Sequence, residues 1–428
     1  MKVRFIYSAC IEIHTNDVSI LTDPWFTEGA YDGSWYHFPA VDDPLEIISE
    51  PDVIYISHIH PDHYDPVFLK KLFEKWGEKP VLIPDFESNY LHLRSQFDGI
   101  STTPTKTMTY GDTQIQIVPN ITGSVSDIDS AVFVKDRRHS VLNLNDCIWS
   151  DDHVKLLQSL TKCLQKPIDL LALGFTGAGP YPQTYFDLDT EIEIVESKAE
   201  KKKLEFFERY RRFCSAFPSK YHLPFAGQYI LGGNLSNLNQ YRGVADAFEI
   251  TQFDKSAIVL ADHGEGVIDL GSQRIPNLRN CLYDAQELSA TIEQISKNKM
   301  TYENEILVPF HKINFGRLLK ASYLKAKNRS TVTEDYYFVI EATGPEDQVY
   351  RCLLNANPDN HVFEVWSEGT PIPEPHSYIT IDYRYLYGLL TGIYHWNNAD
   401  VGSHLKVRRR PDMRVLSAQR FLHFLSAC

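Results

Sequence analysis

The chain has 428 residues, 43% hydrophobic and 23% charged, which is ordinary composition for a folded protein and long enough for two cores. A formal net charge of −14 argues against a nucleic-acid backbone or an anionic membrane as partner, while leaving a small anionic substrate open wherever local positive charge exists. No apolar run is long enough for a membrane span, no signal-peptide pattern follows Met1-Lys2, and seven scattered cysteines without a Cys-x-x-Cys pair fit reduced thiols in a cytoplasm.

In chain order, residues 3–7 and 10–14 alternate as strands, Asn16-Asp17 makes a turn, and residues 18–21 return to Thr22-Asp23-Pro24-Trp25. Asp23 either orients a metal ligand from behind or caps the turn before Pro24. Residues 29–39 are aromatic and Gly-rich without periodicity, so they read as a loop. Its rings either wall a substrate pocket or pack down as a satellite core, with Trp35 and His37 as the candidate substrate contacts.

Val53-Ile54-Tyr55-Ile56 reads as a short buried strand. It runs into Ser57-His58-Ile59-His60-Pro61-Asp62-His63, and a helix then starts with Asp65 as N-cap and Pro66 in its first turn, closing at Gly77. Three of the chain's 16 histidines fall within six positions of this strand-to-helix loop. His58 and His60, two apart in extended chain, point the same way and can share one metal. Asp62 and His63 follow after the chain turns and face a second. Imidazoles with a carboxylate suit zinc, iron or manganese rather than calcium or magnesium.

His-x-His-x-Asp-His resembles the metallo-β-lactamase superfamily. The resemblance implies an α/β fold, an αββα sandwich with a one- or two-metal site at the sheet edge. Hydrolases of that superfamily carry a third site histidine after the strand that reads here as residues 113–118. Residues 119–130 contain none, so Asp127 or Asp129 substitutes as an oxygen ligand, or the first metal has fewer protein ligands. The hairpin over 131–144 ends at Asn145-Asp146-Cys147, where the superfamily places a metal-bridging aspartate, which assigns that role to Asp146. A buried strand over 168–173 opens into a Gly-rich site-edge loop containing Tyr181, a candidate substrate contact. An amphipathic helix over about 191–217 carries an aromatic core stripe. His222 stands at a strand end, where the superfamily's last metal histidine sits; the other reading is a histidine one position out of line and merely hydrogen-bonded. His263, before Gly264, either closes over substrate or is a turn histidine.

Over residues 1 to about 275 the chain is similar, in order, to the hydrolase-like domain of the CMP-N-acetylneuraminate hydroxylases. The supporting stretches are Thr22-Asp23-Pro24-Trp25, Ile54-Tyr55-Ile56-Ser57-His58, Asp127-Ile128-Asp129, Leu142-Asn143-Leu144-Asn145-Asp146-Cys147, Pro224-Phe225-Ala226-Gly227 and Val267-Ile268-Asp269-Leu270-Gly271. Those hydroxylases begin with a Rieske iron–sulfur domain that needs Cys-x-His and Cys-x-x-His. No cysteine here is followed by such a histidine, so hydroxylation would call for a separate reductase or a different electron source. A more distant likeness, to N-acylphosphatidylethanolamine phospholipase D, shares the metal frame but carries the histidine missing here.

The organisation expected is therefore a metal-binding catalytic domain over 1–275, a connector over 276–334, and a C-terminal α+β domain over 335–428 that resembles sterol-carrier-like domains; such a domain forms a homodimer, lines an apolar pocket or, most commonly, only braces the first domain. The first function implied is a binuclear hydrolase using a metal-activated water on an ester, amide or phosphodiester, with two zinc or iron ions. His58 and His60 hold one ion, Asp62 and His63 the other, Asp146 bridges, and Asp62 alternatively steers the nucleophile. The second is a di-iron oxygenase on the same frame. A non-catalytic scaffold ranks last, because the motif is intact.

Overall fold

The computed structural model describes residues 1–122 and 128–428. Short apolar runs in the first 275 residues form two sheets stacked face to face. One has the order 267–269, 2–7, 10–14, 19–22, 53–55, 81–83, 103–104; the other runs 219–224, 168–173, 140–143, 130–135, 113–119, 107–110. Alternation along each strand explains why both faces are apolar. Val53 and Tyr55 enter the core between the sheets with Ile115, Val132 and Leu170. Ile54 and Ile56 face outward onto the helix Pro66–Trp76 through Phe68, Leu69 and Leu72. Helices Asp151–Thr161 and Ile192–Ala216 cover the outer face of the second sheet. The layers are α, β, β, α, as the sequence implied.

The helix after the histidine motif starts and stops as its residues dictate. The Asp65 carboxylate accepts from Phe68 N and holds Phe26 N and Thr27 N, tying the helix entry to the first hairpin. Gly77, at φ 77° and ψ 170°, takes a positive-φ conformation open to glycine and ends it. Leu69 and Leu72 are fully buried, each worth roughly 1.5–3 kcal/mol of apolar transfer.

Three parallel strands, 19–22, 53–55 and 81–83, end at the same edge of the first sheet. In the second sheet that edge receives the start of 130–135 and the end of 140–143, which pair antiparallel. Tyr55 joins the sheets there, its hydroxyl 2.8 Å from Ser130 Oγ, and Ser130 Oγ donates to Ser57 O at 2.8 Å. Asp23, Ser57 and Asp146 thus follow strand ends, and Asp129 precedes a strand start, at one rim.

The aromatic segment 29–39 is not an open loop. Trp35–Tyr36 pairs with Ile230–Leu231 and is buried. Gly33, at φ 98°, lies so close to Met300 and Thr301 that a Cβ would sit 2.8 Å from Thr301 N.

The C-terminal region forms a five-stranded sheet in the order 363–365, 349–355, 337–343, 376–382, 406–410. Helices Phe315–Lys327, Tyr383–Thr391 and Leu416–His423 pack on it, and one core runs from Met300 to Leu425. Residues from 300 onward therefore belong to this core rather than to a connector ending at 334. Among the described residues, no helix is long and apolar enough to cross a membrane.

Candidate metal centre

Strand 19–22 ends in Asp23, a buried carboxylate on a left-handed backbone (φ 38°). Its Oδ1 accepts from Ser57 N at 2.7 Å and its Oδ2 from Ser57 Oγ at 2.8 Å. The Ser57 hydroxyl has one proton and gives it to Asp23. His58 Nδ1, 2.9 Å from Ser57 Oγ, must then be the donor in that contact. His63 Nδ1 lies 3.1 Å from Asp23 Oδ2 and donates to it. Both imidazoles are fixed with Nδ1–H turned back into the protein and the Nε2 lone pair turned to the rim.

Those lone pairs meet acids and another imidazole. His63 Nε2 lies 3.4 Å from Asp62 Oδ2 and 3.5 Å from Asp146 Oδ2. His58 Nε2 lies 2.8 Å from His60 Nδ1 and 3.9 Å from Asp129 Oδ1. One ligand atom from each of His58, His63 and Asp146 falls within 4.8 Å of the others. Converging lone pairs and carboxylates, buried at His58, Asp62 and His63, form a donor set that a divalent cation fits.

The electrostatics agree. Burial, then the neighbouring His63 and His60, push His58 well below the usual imidazole range, and burial lowers His60, so both stay neutral as ligands must. Burial works against charge on His63 as well, but Asp62, Asp146 and Asp23 outweigh it and raise that ring well above its ordinary value. The field that favours a proton there favours any cation there. For Asp62, burial is outweighed by His63, His60 and the Tyr31 hydroxyl, and the carboxyl is held low.

His58, His60, Asp62, His63 and Asp146 are thus brought together at one rim. The structure gives Asp23 the orienting position, and Asp129 lies beside His58. Asp127, the other acid proposed for the missing histidine, lies outside the described residues.

His222 is elsewhere. Its Nδ1 lies 2.7 Å from Asp254 Oδ2, in a cluster with Cys214 under the helix Ile192–Ala216. Residues alternate across a strand, and Tyr221 and Leu223 face the inter-sheet core, so His222 must face outward. That parity was readable in the sequence.

The substrate contacts expected at Trp35 and His37 are corrected too. Trp35 is 1% exposed and stacks on Tyr229 at 3.3 Å. His37 is 2% exposed, with its ring nitrogens on Trp25 O and Glu28. Tyr181 hydrogen-bonds Asp412 in the C-terminal region, and His263 sits in a turn beside Ile6, its backbone N–H on Ile6 O.

Three contributors escaped the sequence reading. Tyr31 donates to Asp62 Oδ1 at 2.6 Å, Asn397 lies 3.0 Å from His60 Nε2, and Arg209 faces the acidic side. Burial draws the Arg209 guanidinium below its usual range, opposed by Asp146 and Asp129, and its plane lies 4.1 Å over Phe206. None carries a local motif.

Residues 2–131, which carry the histidine motif, match the family model described as beta-lactamase superfamily domain. Among curated proteins the chain is similar to the cytidine monophosphate-N-acetylneuraminic acid hydroxylase of Gorilla gorilla gorilla, 25% identical over 242 residues, covering 54% of this chain and 38% of that one. The inactive hydroxylase of Homo sapiens is 24% identical over 242 residues, with 45% of its length covered. The chain thus spans less than half the length of either relative. Among solved structures, an isothiocyanate hydrolase from Delia radicum gut bacteria superposes with a TM-score of 0.43 at 13% identity, covering 63% of this chain and 99% of that one.

Proposed function

We propose that this chain is a metalloenzyme holding two divalent ions at the rim, and that it acts as an oxygen-dependent hydroxylase on an anionic small molecule. The observation that carries this reading is the donor set around His58. His58 Nε2 and His60 Nδ1 face one point, and a carboxylate, Asp129, lies beside it in place of a third imidazole. Two histidines and one carboxylate are a ligand set that non-haem iron oxygenases use and that zinc hydrolases also use, harder than an all-imidazole set. The similarity to hydroxylases supports the same order. It reverses the sequence reading, which ranked hydrolysis first.

In this reading, His58, His60 and Asp129 would hold one ion and Asp62 and His63 the other, with Asp146 available to both. Bound iron would supply the redox chemistry of a reaction in which one oxygen atom of dioxygen enters a substrate C–H bond and the other leaves as water, consuming two electrons and two protons. The electrons come from a separate reductase. The chain's own residues do the rest. Asp23 and Ser57 fix the tautomers of His58 and His63, Tyr31 holds Asp62, and Arg209 offers positive charge to an anionic group, of the sugar-nucleotide kind that the relatives' names suggest.

Hydrolysis is the second reading, favoured by the Asp146 side chain, which is 35% exposed and so lies within reach of water.

Metal analysis of protein purified without chelator or added metal, followed by oxygen uptake with a chemical reductant, separates them. The expected result is about two iron per chain and a chromophore that changes on reduction and reoxidation. About two zinc, with turnover unchanged when oxygen is removed, would overturn the hydroxylase reading in favour of hydrolysis.

A further inference from the structure

The C-terminal region reaches into the metal centre, and the contact has a chemical sense. The helix Trp396–Val401 lies between the two cores with its sides divided at helical spacing. Trp396 is buried in the C-terminal core and its Nε1 donates to Leu425 O at 2.7 Å. Val401 packs with Ile59 against the first domain's core. Asn397, four residues before Val401 and on the same side, puts its amide 3.0 Å from His60 Nε2. His60 is thereby spanned, with Nδ1 at 2.8 Å from His58 Nε2 and Nε2 on Asn397. The same region backs Asp62 as well: His404 Nε2 donates to Tyr31 O at 2.8 Å, and Tyr31 donates to Asp62.

With no cation between the rings, one proton must lie between His58 Nε2 and His60 Nδ1. His58 Nδ1 already carries that ring's proton, so this one belongs to His60 Nδ1. His60 Nε2 is then a lone pair, and the Asn397 amide N–H donates to it. When an ion takes the place of that proton, His60 must carry its proton on Nε2, and the acceptor within reach is the same amide turned to present Oδ1. An amide serves both states. A carboxylate serves the loaded state, and an aliphatic side chain serves neither.

We propose that Asn397 is a positioning residue for the metal centre, delivered from the C-terminal region to hold the His60 ring with Nδ1 facing His58 Nε2. This rests on the reading that His58 and His60 share an ion. The C-terminal region is then part of the centre and not only a brace for it.

The test is titration of the full chain, freed of metal, with Zn²⁺ alone against a chromophoric chelator, together with the visible d–d spectrum of the Co²⁺-loaded protein. Asn397→Leu and the smaller Asn397→Ala should each weaken one ion of the pair by roughly 10–100-fold and alter the Co²⁺ bands. Asn397→Asp, which keeps an acceptor, should hold both ions as tightly as the parent. Thermal melting of the metal-free proteins identifies any variant that fails to fold, and Asn397→Ala and Asn397→Asp then carry the comparison. Wild-type affinity and spectrum in a folded Asn397→Ala would overturn the proposal, as would a loss in Asn397→Asp equal to that in Asn397→Ala. His60→Ala separates the two layers. If it loses an ion while Asn397→Ala does not, only the role of Asn397 falls. If it keeps both ions, the shared-ion reading falls and takes this inference with it.

Discussion

Two histidine–acid clusters stand in the first domain, and they differ in what their hydrogen bonds leave over. At the rim, His58 and His63 spend Nδ1–H on Ser57 and Asp23, and what remains is a set of lone pairs and carboxylate oxygens aimed at one another. Under the long helix, Asp254 Oδ2 takes both His222 Nδ1 and the Tyr210 hydroxyl (2.9 Å), and Oδ1 takes Ser256 N–H (2.9 Å). Both groups bring metal-competent atoms within 4.8 Å. The first gathers several imidazoles and carboxylates at one point and draws a cation; the second spends its carboxylate on neighbouring donors and leaves His222 Nε2 as its one ring nitrogen without a partner. Proximity of ligand types is a weaker guide than the account of protons around them.

The largest expected contrast comes from deleting a residue of each cluster. His63→Ala and Asp146→Ala should strip metal and lower turnover by more than the roughly 100-fold that loss of an outer partner costs, whereas His222→Ala should keep its ions. Metal per chain by mass spectrometry and initial rates read both. Metal loss in His222→Ala would erase the distinction between the clusters.

Asp23→Asn is expected to act one step out. It removes the charge that anchors His63 Nδ1–H and Ser57, and metal affinity should fall about 10–100-fold in chelator competition with every direct ligand still present. An unchanged affinity would mean that packing alone holds the rings.

The smallest effect belongs to the cluster around Asp254 and is one of stability. Asp254→Asn leaves buried donors poorly matched and should cost about 1–3 kcal/mol at neutral pH, seen as a lower melting temperature. Burial raises the Asp254 carboxyl, but the His222 hydrogen bond, the Ser256 N–H and the Tyr210 hydroxyl outweigh it and hold it below its ordinary value. With a folded-state value below the unfolded one, this stabilisation is complete above the unfolded value near ~4 and is lost as pH falls through the lowered one. The gap in melting temperature between wild type and Asp254→Asn should therefore close on acidification. A gap that widens instead would show that the carboxylate is not the stabilised form.

The motif, its strand and its helix were legible because their causes are local. Val53 to Tyr55 form a strand by side-chain type, and Asp65, Pro66 and Gly77 punctuate a helix. The aromatic segment around Trp35 was less legible, since a ring on a loop and a ring stacked on Tyr229 are spelled alike. His222 was misplaced by one step of strand parity.

What the sequence determined by itself, then, was the strand, loop and helix around the motif and the residue types able to bind metal, because short-range sterics and periodicity encode those; the αββα frame followed only from the resemblance that the motif carries. The tertiary structure alone decided that Asp129 lies beside His58, that Asp23 and Ser57 set the tautomers, and that Asn397, 337 positions away, meets His60. Such meetings arise where separate elements pack against each other, and no run of neighbouring residues carries their imprint.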